Sequence, residues 1–177
     1  MTNYEAASLI NSSQSNLTTN LNVRLFGLGR NFWISTEMYQ NAACDMAIFL
    51  EECGLHVEKA KEIANLDYSF EDANGFASYC LSNGVMDWGK FGLISDLLDS
   101  MEEEAVEAAC ELQMDVSTVE DSYLGHYESL RKYLEENFDE IDLPSIPPAY
   151  HGYLDYDAIY RDREAEFNEQ NGYIFRA

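Results

Sequence analysis

Histidines and glycine loops are the first places to look for chemistry in this sequence, and neither forms a recognisable site. The three histidines, His56, His126 and His151, are far apart, and none lies in an H-E-x-x-H or H-x-x-E pattern. Gly27-Leu28-Gly29 is not continued as a phosphate-binding or dinucleotide-binding loop, so it indicates a hairpin turn. We therefore predict no metal site and no cofactor.

Carboxylates are the groups that the chain has in excess, with 33 acidic against 10 basic residues and a formal net charge of -23. Acid–base catalysis requires two particular carboxylates in one cleft. In a chain this acidic, neighbouring pairs such as Glu135 and Glu136 arise without any such role, so we predict that the protein is not an enzyme. Carboxylates do suit a basic groove on another protein, because Lys and Arg pair with them much as they pair with phosphates.

The acidity is concentrated in the middle of the chain. Residues 1–50 carry a net charge of -1, residues 51–100 of -7, residues 101–150 of -12 and residues 151–177 of -3. A charge so far from zero opposes folding through self-repulsion, which points to a function for it. It also argues against nucleic acid or an anionic membrane as a direct partner.

The cellular compartment is predicted from what the sequence lacks. The N-terminus is polar and has no signal-peptide core, and no stretch approaches the ~18 apolar residues of a membrane span. There is no C-x-x-C pair, so we expect a reducing cytoplasm in which the cysteines are buried thiols. The four cysteines are Cys44, Cys53, Cys80 and Cys110.

The elements that position these groups predict an α+β fold with helix in excess. We expect a flexible arm over residues 1–20, then an N-terminal α+β part over 21–65, with strands at 21–26 and 31–35 and a helix from Thr36 to Gly54. Residues 66–115 are predicted to form an acidic, mainly helical middle, in which 71–81 could be helical and 102–113 is a helix.

The C-terminal part, residues 116–177, is predicted to be a small α+β domain. Residues 128–138 and 150–164 have helical spacing of their apolar positions, and 172–175 close the chain as a short strand. Pro144–Pro148 holds all three prolines, so we expect an extended link there.

Acidic runs lie on the helices of the middle and C-terminal parts, scarcely paired with bases at i, i+4. An ordered array of carboxylates could replace phosphates in a DNA-binding groove. Duplex DNA carries one charge per ~1.7 Å, so -23 corresponds to roughly 40 Å of duplex, or about twice that for a homodimer. The residues predicted to form this partner-binding surface are Glu102, Glu103, Glu107, Glu111, Glu120, Asp121, Glu135, Glu136, Asp139, Glu140 and Asp142.

The C-terminal third resembles the ArdA family of antirestriction proteins. The similarity lies in Val119–Ser129, with its Tyr-x-Gly-x-Tyr-x-Ser turn, in the helix Leu130–Phe138, in the Pro-containing link Leu143–Pro148, in Tyr153–Asp162 and in the closing strand Gly172–Arg176. Together these segments cover about 60 residues in the family's order and spacing.

The resemblance implies an elongated three-part protein of a mobile genetic element, such as a plasmid, transposon or phage, that dimerises and mimics B-form DNA. Its implied partner is a host type I restriction–modification methyltransferase/specificity complex, blocked by occupation of the DNA path. The family segment implied to lie in or near the dimer region contributes Tyr153, Asp155, Tyr156, Arg161 and Asp162.

Two alternatives remain open. His126, Arg131 and Lys132 stand where acids are common in the family, so the target could be another defence system, through anti-CRISPR activity or inhibition of another nuclease complex. The second alternative is an acidic adaptor or small enzyme without any link to DNA. For individual motif residues, the alternative to a dimer role is packing, with Tyr153, Tyr156 and Ile159 in the core and Arg161 bridging to an acid.

Overall fold

A computed structural model of the chain describes residues 1–12 and 20–177, with only the backbone described at residue 141. It divides into two compact units, unit 1 (Met1–Gly92) and unit 2 (Leu93–Ala177). Helices and short strands alternate in both units, which confirms the α+β class. Among the described residues, no helix has the length and apolar character needed to span a membrane.

Unit 1 contains α1 (Asn3–Ser12), β1 (Asn20–Leu25), β2 (Arg30–Ser35), α2 (Thr36–Asn41), α3 (Met46–Glu52), α4 (Val57–Ala64), β3 (Tyr68–Ala73), β4 (Leu81–Ser82) and β5 (Val85–Met86). Helix α5 (Trp88–Ser100) begins in unit 1 and ends in unit 2. Unit 2 continues with α6 (Glu103–Glu111), α7 (Val119–Ser122), β6 (Tyr123–His126), α8 (Leu130–Asn137), α9 (Tyr156–Arg163), β7 (Phe167–Gln170) and β8 (Tyr173–Arg176).

The sheet of unit 1 is antiparallel, in the order β2-β1-β3. Leu21, Val23 and Leu25 of β1 are buried, whereas Arg24 is exposed, because successive residues of a strand point to opposite faces. The predicted hairpin between β1 and β2 is confirmed. Gly29 closes its turn at φ +64°, a conformation that glycine adopts without steric cost.

The N-terminal segment differs from the flexible arm predicted for residues 1–20. Residues 3–12 form α1, whose Ala6, Ala7 and Ile10 are buried, and α1 contacts β2. Small apolar residues one turn apart let this helix pack closely, although its sequence is mostly polar. The rest of the predicted arm, residues 13–19, lies outside the described residues.

The single helix predicted from Thr36 to Gly54 is wrong, because the chain forms two helices there. Ala43 and Cys44 both have left-handed backbones, with φ 53° and 56°, and end the first helix. The Asp45 carboxylate then accepts hydrogen bonds from Ala47 N at 2.8 Å and Ile48 N at 3.2 Å, which starts α3. The Tyr39 hydroxyl donates to Cys44 O at 2.8 Å and holds this turn.

Residues 71–81 also differ from the helix considered for them. Strand β3 pairs with β1, and 75–79 form a 3-10 helix that begins at Gly75 with φ 55°, so no α-helix occupies 71–81. Residues 66–92 belong to unit 1, and residues 93–115 belong to unit 2 together with 116–177. The domain divisions at 65/66 and 115/116 stay predictions.

The sheet of unit 2 has the order β6-β8-β7 and is covered on both faces. Ile174 of β8 is fully buried in a cluster with Tyr133 and Leu134 of α8 and Tyr160 of α9. Its neighbour Phe175 is also fully buried and points to the opposite face.

Helix α6 covers that opposite face. It contacts β7 and β8, and the Gln170 side chain on β7 donates to the Glu111 carboxylate at 2.6 Å. Gln170 pairs with Tyr173, two residues from Phe175 along β8, so all three side chains share one face. Unit 2 is thus a three-layer arrangement, with α6 on one side of the sheet and α8 with α9 on the other.

The proline segment is less extended than predicted. Leu143–Ser145 and Pro148–Tyr153 are 3-10 helices, each with a proline in its first two positions, and only residues 146 and 147 are extended. Of the cysteines, Cys53, Cys80 and Cys110 are buried as predicted, while Cys44 is half-buried.

Candidate acidic interaction site

The predicted acidic residues all belong to unit 2, which carries 22 acids and five bases, a net charge of -17, against -6 for unit 1. We divide them into two groups, which we name by their helices. The α6–α7 acids are Glu102, Glu103, Glu104, Glu107, Glu111, Asp115, Glu120 and Asp121. The α8 acids are Glu135, Glu136, Asp139, Glu140 and Asp142.

Helix α6 presents a dense row of carboxylates. Its buried side consists of small residues that pack on the sheet, and its acids are all exposed. Glu103, Glu107 and Glu111 follow one another at i, i+4 spacing, about 6 Å apart along the axis. From Glu102 to Glu111, five carboxylates occupy about 14 Å of axis, where one DNA strand would place about four phosphates.

The α6–α7 acids are not neutralised within unit 2. None of them has a Lys, Arg or His nitrogen within 4.0 Å in the part of the chain that the structure describes. Residues 91–130 contain no Lys or Arg at all. The α6–α7 acids also act on a nearby tyrosine. Burial raises the pKa of Tyr173, and the carboxylates of Glu104 and Glu102 raise it further.

Helix α7 carries two further exposed acids, Glu120 and Asp121. It contacts β8, and Tyr123, the residue that follows it, has a pKa raised by burial and then by the Glu102 carboxylate. Asp115 caps the 3-10 turn before α7. Hydrogen bonds from the Ser117 hydroxyl, at 2.7 Å, and the Ser117 backbone N–H, at 3.0 Å, lower the pKa of this carboxyl and keep it charged.

The α8 acids have a different environment, because cations of the same layer pair with most of them. Arg131 Nε lies 2.8 Å from Glu135 Oε1, and its guanidinium stands 4.3 Å from the Tyr160 ring centroid. Lys132 Nζ lies 3.5 Å from Glu136, and Arg163 Nη1 lies 2.5 Å from Asp142. Of this group, only Asp139 and Glu140 have no cation within 4.0 Å among the described residues.

The sequence-predicted set is therefore not one continuous row. Six of its eleven members belong to the α6–α7 acids and five to the α8 acids, which lie on the other side of the sheet from α6. The predicted set omits Glu104, in the first turn of α6, and Asp115, which caps the 3-10 turn before α7. Glu104 could have been found from its i, i+3 spacing to Glu107.

The family-motif segment is split between core and surface. Tyr156 packs on Phe138 with ring centroids 5.7 Å apart, and Ile159 joins the same cluster. Tyr153 is 86% exposed, so the core position considered for it is wrong.

The charged residues of the segment lie at its surface. Asp155 caps α9 by accepting from Ala158 N at 3.1 Å. Arg161 and Asp162 are exposed, and the described residues give Arg161 no ion pair.

The histidines have separate structural environments. His56 is the residue before α4, His126 stacks on Tyr173 with ring centroids 4.5 Å apart, and His151 Nε2 lies 2.7 Å from Ile146 O. Within residues 1–12 and 20–177, no group of three or more His, Cys, Asp or Glu side chains is arranged to hold a metal ion.

Comparison with known protein families gives a match over most of the chain. A family model described as antirestriction protein (ArdA) matches residues 24–175, so the similarity noted in the C-terminal third extends over most of the chain. No curated protein sequence matches the chain. The chain therefore belongs to the ArdA family of antirestriction proteins, a family of inhibitors directed against restriction–modification.

Proposed function

We propose that this protein is a non-enzymatic DNA mimic that inhibits a type I restriction–modification enzyme by placing the α6–α7 acids in its DNA-binding groove. The observation that carries the proposal is the set of eight exposed carboxylates without a cationic partner among the described residues, on elements packed against the sheet of unit 2. Arg and Lys side chains that hold phosphates can bind such carboxylates with similar hydrogen bonds.

Helix energetics do not favour every acid of α6. Glu103 and Glu104 lie in its first turn, where the helix dipole favours negative charge. Glu111 lies in the last turn, where the dipole favours cations, and it repels Glu107 at i, i+4, although its carboxylate also accepts a hydrogen bond from Gln170. We infer that a binding role favours carboxylates at these two positions.

The net charge of unit 2 is comparable with that of a short length of DNA. A net charge of -17 matches the charge on roughly 30 Å of duplex. Because the carboxylates stand on packed helices, the array is already ordered before binding, whereas a real duplex must often be bent or untwisted by the enzyme at a free-energy cost.

Competition with DNA tests this proposal. We expect the protein and a duplex carrying the recognition site to exclude each other from a purified type I restriction–modification complex. We also expect the Kd of the protein to rise steeply, by 100-fold or more, between 50 and 200 mM salt. Fluorescence anisotropy with labelled duplex and labelled protein measures both. Ready formation of a ternary complex of enzyme, duplex and protein would contradict the mimicry.

The choice of target can be tested separately. Arg131 and Lys132 neutralise part of the α8 layer, and this is the feature that keeps another defence system, such as a CRISPR effector or a different nuclease complex, as the second candidate. Affinity capture from host cells that hold several defence systems distinguishes the two. Recovery of a CRISPR effector without methyltransferase or specificity subunits would exclude the type I target.

We further propose that the protein acts as a homodimer in which the 3-10 helix Pro148–Tyr153 contacts the second copy. Tyr150 and Tyr153 are 61% and 86% exposed, and three-residue spacing places them on one side of a 3-10 helix. Such exposed aromatic side chains are enriched in interfaces.

The mass of the protein after substitution tests the proposed homodimer. We expect Tyr150→Ser/Tyr153→Ser to shift the mass measured by light scattering from dimer towards monomer, because the pair would lose its apolar contact area. Tyr4→Ser, which removes a 77% exposed tyrosine in unit 1, is the matched control. A wild-type protein that is monomeric at micromolar concentration would contradict the proposed dimer.

A further inference from the structure

A cavity of about 550 Å³ opens in unit 2, on the side of the sheet that α8 and α9 cover. Its volume is in the range of small-ligand sites. The proposed DNA mimicry gives this cavity no role, because α6 covers the opposite face of the sheet. We call it the Tyr133 cavity, and its polar lining residues are Tyr133, Asn137, Asp142, Arg163, Glu166 and Arg176.

The Tyr133 hydroxyl reaches this cavity without a partner. Tyr133 is only 8% exposed, and its ring packs edge-on against Tyr127 and Phe167, with centroids 5.0 and 5.2 Å away. Its hydroxyl makes no hydrogen bond within residues 1–12 and 20–177, and no enclosed side-chain oxygen or nitrogen of these residues is left unpaired. The hydroxyl must therefore face the open space of the cavity, where it can donate to a ligand.

Two guanidinium groups lie near this hydroxyl. Burial, and then the Tyr127 phenol, raise the pKa of Tyr133, whereas the positive charges of Arg163 and Arg176 act against this rise. The strand register agrees with such a placement for Arg176. Phe167, whose ring contacts Tyr133, lies opposite Arg176 in the β7–β8 pair.

One of the two arginines already holds the carboxylates of the cavity. Arg163 Nη1 lies 2.5 Å from Asp142 Oδ2, and Arg163 Nε lies 3.9 Å from Glu166 Oε2. In the described part of the chain Arg176 has no carboxylate within 4.0 Å, although Asp121 lines a neighbouring hollow with it. The two charged pairs of side chains therefore balance at the cavity, whereas unit 2 as a whole carries -17.

We propose that the Tyr133 cavity binds a small organic acid or phosphate ester, whose oxyanion group accepts hydrogen bonds from the Tyr133 hydroxyl and the Arg176 guanidinium. Both side chains have unused donors, and a carboxylate or phosphate oxygen accepts from both. Hydrogen bonds between a guanidinium and such an oxyanion are among the strong ones. The Asn137 amide lines the same cavity and can contact the body of the ligand. This site is separate from the acids that the proposed DNA mimicry uses.

Two probes, inorganic phosphate and succinate, test the site by NMR titration at constant ionic strength. We expect the backbone amide signals of Tyr133, Phe167 and Arg176 to shift with a Kd of about 1 mM or lower for at least one probe. Tighter binding of phosphate would identify the ligand as a phosphate ester, and tighter binding of succinate would identify it as an organic acid.

Substitutions assign the binding to the two donors. Tyr133→Phe keeps the packed ring and removes only the hydroxyl, so we expect the Kd to rise about five-fold. Arg176→Gln removes the charged donor, and we expect the Kd to rise about ten-fold or more. Arg161→Gln makes the same change at an exposed arginine of α9 that has no ion pair among the described residues, so this matched control should leave the Kd unchanged.

The absence of any shift with either probe, up to about 10 mM, would overturn the site. A Kd that Tyr133→Phe leaves unchanged would also overturn it. The same holds for a Kd that Arg161→Gln raises as much as Arg176→Gln, because the anion would then bind to surface charge alone. None of these results affects the exclusion of duplex by the α6–α7 acids, which is measured separately. Thermal unfolding of each variant verifies that the fold is retained.

Discussion

Replacing the carboxylate row of α6 with amides is expected to weaken inhibition on the order of 100-fold. The triple variant Glu103→Gln/Glu107→Gln/Glu111→Gln removes three charges that are exposed and lack a cationic partner among the described residues. If each pairs with an Arg or Lys of the target, the slope of log Kd against log salt should fall by up to about 0.9 for each. The glutamine at 111 can still accept from Gln170, so the fold should be preserved.

A second triple variant with the same change in formal charge is the matched control. Glu135→Gln/Glu136→Gln/Asp142→Asn acts on acids that Arg131, Lys132 and Arg163 already neutralise, so inhibition should fall less than five-fold. DNA-cleavage assays of the restriction enzyme with each variant measure both effects. Equal losses from the two triples would mean that total charge, and not the α6–α7 acids, governs inhibition.

Substituting Gly172 is expected to destabilise unit 2 by about 3 kcal/mol or more. Gly172 lies in the turn between β7 and β8 with φ +84°, and a Cβ added there would be 2.4 Å from the backbone oxygen of Tyr127. The Tyr127 N–H donates to Gly172 O at 2.8 Å, so the two backbones cannot separate without losing a hydrogen bond. A left-handed residue with a side chain costs ~1–2 kcal/mol, and the steric clash with Tyr127 adds to this cost.

Gly29 provides the control for backbone conformation. It has φ +64°, but no atom lies within 4 Å of a Cβ added there, so Gly29→Ala should cost only about 1 kcal/mol. Urea unfolding gives the free energy for both variants. A Gly172→Ala variant as stable as Gly29→Ala would show that the close approach to Tyr127 relaxes readily.

Local signals in the sequence were sufficient for the elements with clear periodicity. The strand ends of the β1–β2 hairpin were predicted to within one residue, because alternation and a glycine turn act over short distances. Helices α6 and α8 were predicted for a similar reason, since each has one apolar stripe.

Elements decided by contacts distant in sequence were missed or misplaced. Strand β7 (Phe167–Gln170) pairs with β8 but was assigned no strand, because three of its four residues are polar and only the pairing fixes them. The break at Ala43 and Cys44 depends on the Tyr39 hydrogen bond, which no periodicity reveals. For the site, sequence could count carboxylates but could not place Glu107 and Glu135 on opposite sides of a sheet, because that depends on which face of β8 each helix covers.

The uneven charge of the two units has a consequence for how fast the protein finds its target. Charge concentrated on one part of a molecule steers diffusional encounter, and it can raise association rates 10- to 1,000-fold at low ionic strength. With -17 on unit 2 and -6 on unit 1, a basic groove attracts unit 2 much more strongly than unit 1. In the proposed competition, the same field also repels DNA from a groove that unit 2 has approached to within about one Debye length.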